Sequence, residues 1–252
     1  DLAAVQTWLG EVLAEAKKNK GEGFAAVAGS WMSNEEAFLL ANLVGKQLKS
    51  GAMDVKTDRT RGLPADDLLH TDDHNPNRAG VIDAGCVPGK KDGMDLAAIA
   101  AACAAGEIQT LIVWGAGLQG AFDSYIAMAE ALSKVANVVQ ITDTEDAVST
   151  LATAVISLRN WAESNGTWTN FEGHHSRFRK AIRPPKHAVD GFDLRMALHD
   201  AAGIKPPVKS LTDCRKKLKQ DPDSDVREFA NGQFEFPKNQ TLYRHTSGVL
   251  EV

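Results

Sequence analysis

Cysteine is scarce. Cys86, Cys103 and Cys214 are odd in number and far apart, so the sequence offers no disulfide framework and none of the close spacings that ligate iron–sulfur clusters or structural zinc. Long apolar runs are missing as well. None approaches the roughly 18 to 20 residues that a membrane-spanning helix needs, and the first residues lack the basic, apolar and small-residue sections of a secretory signal. The chain is therefore expected to be cytoplasmic, reaching the inner face of a membrane only through partners. Cations are not in excess either: Lys and Arg number 28 against 33 Asp and Glu, a formal net charge of -5. That balance disfavours polyanions in general and nucleic acid among them.

What is present suits an ordinary globular protein. With 43% hydrophobic and 24% charged side chains in 252 residues, the chain can bury a substantial core. It begins at Asp1 rather than Met, which raises the expectation of a trimmed or processed piece whose missing parts include catalytic ones.

Hydrophobic spacing orders the chain. Leu2, Val5, Leu9, Val12, Leu13 and Ala16 form the stripe of an amphipathic helix. Phe24 to Ala28 has strand length, and Ser33 with Glu36 forms a capping box opening a helix to about Lys49. From residue 50 to 94 the chain is rich in Gly, Pro, Asp and Asn and reads as one long loop. Asp95 then caps an alanine-rich helix that Gly106 terminates, and Thr110 to Trp114 is a strand. Beyond it the pattern predicts a helix over 121–135, a strand over 137–141, a short helix over 144–151 and a strand over 154–158. Alternation of this kind implies parallel strands joined by crossovers. Asn165-Gly166 predicts a tight turn between Trp161 and Trp168, and with it a small hairpin or an irregular excursion. Helices over 192–202 and 210–219 close the folded part, residues 1–219, and 220–252 reads as an extended polar tail.

Three clusters suggest chemistry. Gly115-Ala116-Gly117-Leu118-Gln119-Gly120 follows a strand and is expected to open a helix, as a dinucleotide fingerprint does. Cofactor-binding residues would then be Gly115, Gly117 and Gly120, with Asp143 reaching a ribose hydroxyl; a glycine-favouring strand-to-helix turn explains the same residues without a ligand. His70-Thr71-Asp72-Asp73-His74 gathers four potential metal ligands, although polar loops collect such residues anyway, and no metal site is assigned. His174, His175, Arg177, Arg179, Lys180, Arg183 and Lys186 make a basic run, read as a solvated strand or a patch facing an acidic neighbouring subunit. Glu35 and Glu36 are accounted for by capping. No Ser/His/acid set has the context of nucleophilic catalysis, so no catalytic residue is assigned.

The segment Gly166-Thr167-Trp168-Thr169-Asn170-Phe171-Glu172-Gly173, continued by Arg177-Phe178-Arg179-Lys180-Ala181 and Pro184-Pro185, resembles a signature of the molybdopterin oxidoreductases, G-T-x-T-N-x-E-G-R followed by a basic stretch and paired prolines. Gly29-Ser30-Trp31-Met32-Ser33-Asn34-Glu35-Glu36 is similar to the family's early strand-to-helix step. Asn77 through Gly80, Pro88-Gly89 and Gly106-Glu107-Ile108 through Gly115 are similar to its later run, in the same order. Within the family the pattern looks nearest to the large iron–sulfur subunit of respiratory NADH:quinone oxidoreductase, complex I. There are departures: His174 stands where the motif has Arg, Ser176 where Gln is common, and the cluster-ligating cysteine motifs are absent.

The resemblance implies a three-layer α/β domain with a mostly parallel, Rossmann-like sheet, without the family's inserted second α/β domain and without its β-rich C-terminal domain. It implies a structural or docking part of a respiratory electron-transport complex that binds no pterin and no cofactor of its own, with FMN and iron–sulfur clusters carried by other subunits of the complex. The alternatives are a nicotinamide-dependent oxidoreductase using the Gly115–Gly120 turn, and a partner subunit of a molybdenum or tungsten oxidoreductase.

Overall fold

The computed structural model describes residues 2–57 and 73–219, together with the backbone of two short strands at 244–246 and 249–251. Four apolar runs, each of strand length, and a short run that the sequence pattern does not reveal line up side by side. β1 (Phe24–Gly29), β2 (Met53–Lys56), β3 (Thr110–Trp114), β4 (Asn137–Thr142) and β5 (Ala154–Ser157) form a five-stranded parallel sheet in the order β2-β1-β3-β4-β5. All of β1 and β3 is buried, because helices cover both faces of the sheet there and neither strand needs a polar side.

Side chains alternate between two cores, as a pleat of period two requires. Phe24, Ala26, Ala28, Ile112, Trp114, Val139 and Ile141 pack on one face with Leu9 and Leu13 of α1 (Leu2–Lys18), Leu40 of α2 (Asn34–Ala41), Val81 of α3 (Arg78–Asp83) and Leu194 and Leu198 of α6 (Gly191–Ala201). Ala25, Val27, Leu111, Val113 and Val138 pack on the other with Ile99 and Cys103 of α4 (Leu96–Ala105) and Met128 and Leu132 of α5 (Tyr125–Leu132). The expected three-layer, Rossmann-like arrangement is what the chain adopts.

Local causes are legible at the helix ends. Ser33 accepts from the backbone N–H of Glu36, whose carboxylate accepts from that of Ser33, and α2 continues into a π-helical run over Asn42–Leu48. Asp95 accepts from the N–H of Ala98, and Gly106 closes α4 in the left-handed region at φ 77°.

Several expectations change. The segment read as a loop over 50–94 contains β2 and α3. β2 is a four-residue strand at the edge of the sheet, paired with β1, with Met53 and Val55 inward, too short to register as periodicity. The helix expected over 121–135 starts at Tyr125, capped by Ser124. In place of the helix expected over 144–151 there are turns: Asp146 Oδ1 accepts from the N–H groups of Val148 and Ser149, so a carboxylate closes the turn that a helix would have replaced. The small hairpin expected about Asn165-Gly166 is present, but these residues open its first strand instead of turning: β6 (Gly166–Thr169) pairs antiparallel with β7 (His175–Phe178). The reversal lies five residues later, where Asn170 Oδ1 accepts from Glu172 and His174 N–H. α7 (Leu211–Leu218) ends the first described body. The expectation of an extended tail from Gln220 lies outside the described residues, apart from β8 (Arg244–Thr246) and β9 (Val249–Glu251), which pair antiparallel with each other. No helix among the described residues is long and apolar enough to cross a membrane.

Candidate functional site

In the order β2-β1-β3-β4-β5 the chain leaves β1 toward one edge and resumes at β3 on the other side. A crevice opens where connections diverge beyond the carboxyl ends of parallel strands. Here it is a cleft of about 480 Å³ between the loops that follow β1, β3, β4 and β5, lined among others by Trp31, Glu36, Gly115, Gly117, Asp143 and Trp161. Two glycines let its walls approach. A Cβ on Gly29 would sit 1.7 Å from the carbonyl oxygen of Gly115, and Gly115 itself has φ 61°.

The structure brings Gly115, Gly117 and Asp143 to this cleft, whereas Gly120 does not line it. The glycines do not open a helix. Residues 115–124 form a loop, with Gln119 bridged to Phe122, and the first turn of α5 follows Ser124. The positive helix end that holds a pyrophosphate in a dinucleotide fold is therefore not formed by these glycines. His70, Thr71 and Asp72 lie outside the described residues. Of the same cluster, Asp73 accepts from Asn75 and lies 3.9 Å from Arg78.

Charged groups around the cleft are engaged in holding its walls. Asp143 accepts from Asn160 Nδ2 at 2.6 Å. Asp146 Oδ1 accepts from Gln140 Nε2 at 2.9 Å as well as from its own turn. Asp190 caps α6 and pairs with Arg159 at 3.4 Å. Glu36 completes the capping box and meets Arg195 at 3.5 Å.

Behind this wall lies a second layer of polar contacts, built from the residues that carry the family resemblance. Glu35, fully buried, accepts from the N–H and hydroxyl of Thr167 at 2.9 and 3.1 Å and pairs with Arg215 Nε of α7. Asn34 Nδ2 donates to Thr169 Oγ1 at 2.9 Å. Asn77 donates to the carbonyl of Met32 and accepts from the N–H of Thr169. Gly80 lies so close to both amides that a Cβ there would be 1.9 Å from Asn34 Oδ1 and 2.3 Å from Asn77 Oδ1. The N-x-x-G spacing is thus a packing requirement: the asparagine side chain bonds to the loop after β1 and across to the hairpin rather than capping its own helix, and the glycine one turn later makes room for it.

No local stretch of sequence announces this network. Capping is expected to account for both Glu35 and Glu36; only Glu36 caps, because adjacent helix residues point in different directions. Arg195 and Arg215 do not stand out either, although Arg195 falls on the apolar stripe with Leu194 and Leu198, which is the signal for a buried charge. Arg195 lies with its guanidinium 3.3 Å from the centroid of the Trp114 ring, a cation–π contact shielded from water. Burial pushes its pKa down to about 10, against the opposing pull of Glu36. Burial likewise raises the Glu36 carboxyl above its usual range, with Arg195 opposing.

His199, fully buried one turn along α6, contacts the carbonyl of Arg195 through Nδ1 at 2.8 Å. A carbonyl only accepts, so Nδ1 carries the proton and Nε2, which has no partner among the described residues, is bare. Burial holds the His199 pKa below 6.5. The unfolded chain therefore binds this proton first, and the stability His199 confers is present above about pH 6.5 and lost as pH falls below it. Lowering pH from about 7.5 to 5.5 is expected to lower the melting temperature more in the wild type than in His199→Gln; equal losses in the two proteins would contradict the placement.

No family model and no curated protein matches the chain. Among solved structures, acetylene hydratase from Pelobacter acetylenicus is similar at 17% identity with a TM-score of 0.38, over 44% of this chain. The match spans 16% of that protein's length. This is a distant likeness of fold and says nothing about the site.

Proposed function

We propose that the chain is a docking and framework domain of a redox assembly of the respiratory NADH:quinone oxidoreductase kind, a molybdopterin-oxidoreductase-like layer whose own role is not catalytic. One observation carries the reading. The polar residues of the resembling segments, Asn34, Glu35, Asn77, Thr167 and Thr169, are all buried and bonded to one another or to neighbouring elements. The signature acts here as a clamp joining α2, α3, the β6–β7 hairpin and α7. The carboxylates at the cleft are occupied in the same manner, as caps and turn closers. Flavin and iron–sulfur clusters belong, on this reading, to other subunits.

A second reading has its own support: Gly115, Gly117 and Asp143 do meet in one cleft at the switch point of the sheet, where nucleotide ligands bind in other α/β proteins. That reading makes the chain a nicotinamide-dependent enzyme. Purification of the tagged full-length protein from its own cell, with an absorption spectrum of the isolated chain and an NADH fluorescence titration to millimolar cofactor, separates the two. Docking predicts a colourless chain that brings down iron–sulfur proteins and leaves NADH fluorescence unchanged. A chain that comes down alone and shifts NADH fluorescence overturns it.

A further inference from the structure

We infer that the exposed strip from Arg177 to Lys186 is the surface through which this domain docks, and that it fits an acidic face of a partner protein carrying an apolar side chain at its centre. The inference rests on the docking reading above and gives the partner its chemistry.

The charge pattern comes first. Arg177, Arg179, Lys180, Arg183 and Lys186 are all exposed, and no Asp or Glu occurs between His174 and Val189. Every other arginine whose side chain is described, Arg78, Arg159, Arg195 and Arg215, lies within 4.0 Å of a carboxylate. Arg177, Arg179 and Arg183 have no such partner among the described residues. In a chain whose net charge is -5, the missing counter-charges are not for want of acids. A row of guanidinium groups with unused forks is matched by planar carboxylates, which each can hold through two bonds.

Backbone order comes second. Lys180 N–H donates to Asn165 Oδ1 at 3.2 Å, and Ala181 and Ile182 N–H both donate to the carbonyl of Ala162 at 2.8 and 3.1 Å. Pro184 and Pro185 follow, and Ala188 N–H turns back to the Pro185 carbonyl at 3.2 Å. The strip is thus fastened along the short helical turn over Trp161–Glu163, and little ordering is left for a partner to impose.

Apolar anchors come third. The bonds to Ala162 set Ile182, 54% exposed, beside the turn that carries Trp161, 44% exposed. Trp161 and Trp31, itself 50% exposed, both pack on Trp168, with ring centroids 5.7 and 5.8 Å away. Rigid aromatic anchors rimmed by arginine are the composition of protein–protein interfaces. A long polyanion fits less well. Beyond the strip it would meet a surface of net negative charge, and at physiological salt the attraction reaches only about 8 Å.

Zero-length carbodiimide coupling of the full-length protein in an extract of its own cell, with and without RNase, tests this, because it joins lysine amines only to carboxylates in contact. The expected result is linkage of Lys180 and Lys186 to Asp or Glu of one partner protein, insensitive to RNase and abolished in about 1 M salt, where the screening length is about 3 Å. With that partner purified, R177E/R179E/R183E is expected to weaken the pair at least about ten-fold at an unchanged melting temperature. Links confined to other lysines, links between two copies of this chain, loss on RNase treatment, or unchanged affinity of the triple variant would each overturn the surface. If the triple variant still brings down the partner undiminished, the docking reading stands and only its surface is wrong; if neither protein brings down a partner, both fall.

Discussion

Glu35→Ala is expected to destabilise the protein by about 3 to 5 kcal/mol, since it leaves the Arg215 guanidinium buried without its counter-charge. The same change removes the acceptor of the Thr167 N–H and hydroxyl. For a chain of this size that corresponds to a fall in melting temperature of roughly 6 to 20 °C. Arg215 is 3% exposed and Glu35 0%, so solvent cannot substitute. Replacing both partners with apolar residues, Glu35→Leu with Arg215→Met, is expected to recover part of the loss, because two desolvated charges are removed together. Thermal melts of the two singles and the double test this as a cycle. A Glu35→Ala protein melting within about a degree of the wild type would show that the clamp is not what holds the hairpin to α2.

Val113→Asp is expected to abolish soluble folding. Val113 is 0% exposed in β3, between β1 and β4, and packs in the core shared with α4 and α5. A carboxylate there has no partner, and its burial costs several kcal/mol against a total stability of about 5 to 15 kcal/mol. Val113→Ala, which only removes methyl groups, should fold and melt earlier. Fractionation of expressed protein with circular dichroism of the soluble part is the measurement; an Asp variant that is soluble and melts cooperatively contradicts the assignment of β3 to the middle of the sheet.

Much of the layered fold is visible in the sequence because its cause is local. β1 and β3 are uninterrupted apolar runs, α1 has its stripe, and the ends of α2 and α4 carry their caps in plain view. What escapes has distant causes. β2 is a strand only because β1 offers it an edge, and Gly166 lies in a strand because it pairs with Phe178 across the hairpin, where only glycine fits: a Cβ there would be 2.5 Å from Phe178 and 2.7 Å from the distant Ser33. At the candidate site, Gly115, Gly117 and Asp143 could be singled out beforehand, since glycines and a carboxylate at strand ends announce themselves. Their geometry could not, because the loop before α5 separates the glycines from any helix end. Glu35 and Arg215 are 180 residues apart, and only the folded chain shows that one answers the other.

The resembling segments also show why a signature and a site are different things. Asn77, Gly80, Thr167 and Thr169 match a family pattern by residue type, yet each is explained by what it touches: an amide fitted against a glycine, a hydroxyl on a carboxylate. A scaffold can keep such residues for packing alone, and that is the ground on which the non-catalytic reading stands.

Where the protein sits in its cell separates a docking domain from a free enzyme. Extract resolved on a native gel, stained for NADH-dependent dye reduction and probed for this chain, answers that directly. A docking domain is expected to migrate with a large band that reduces the dye, and the purified chain alone to show no such activity. A chain found only at the size of the free protein, or one that reduces the dye by itself, would contradict docking.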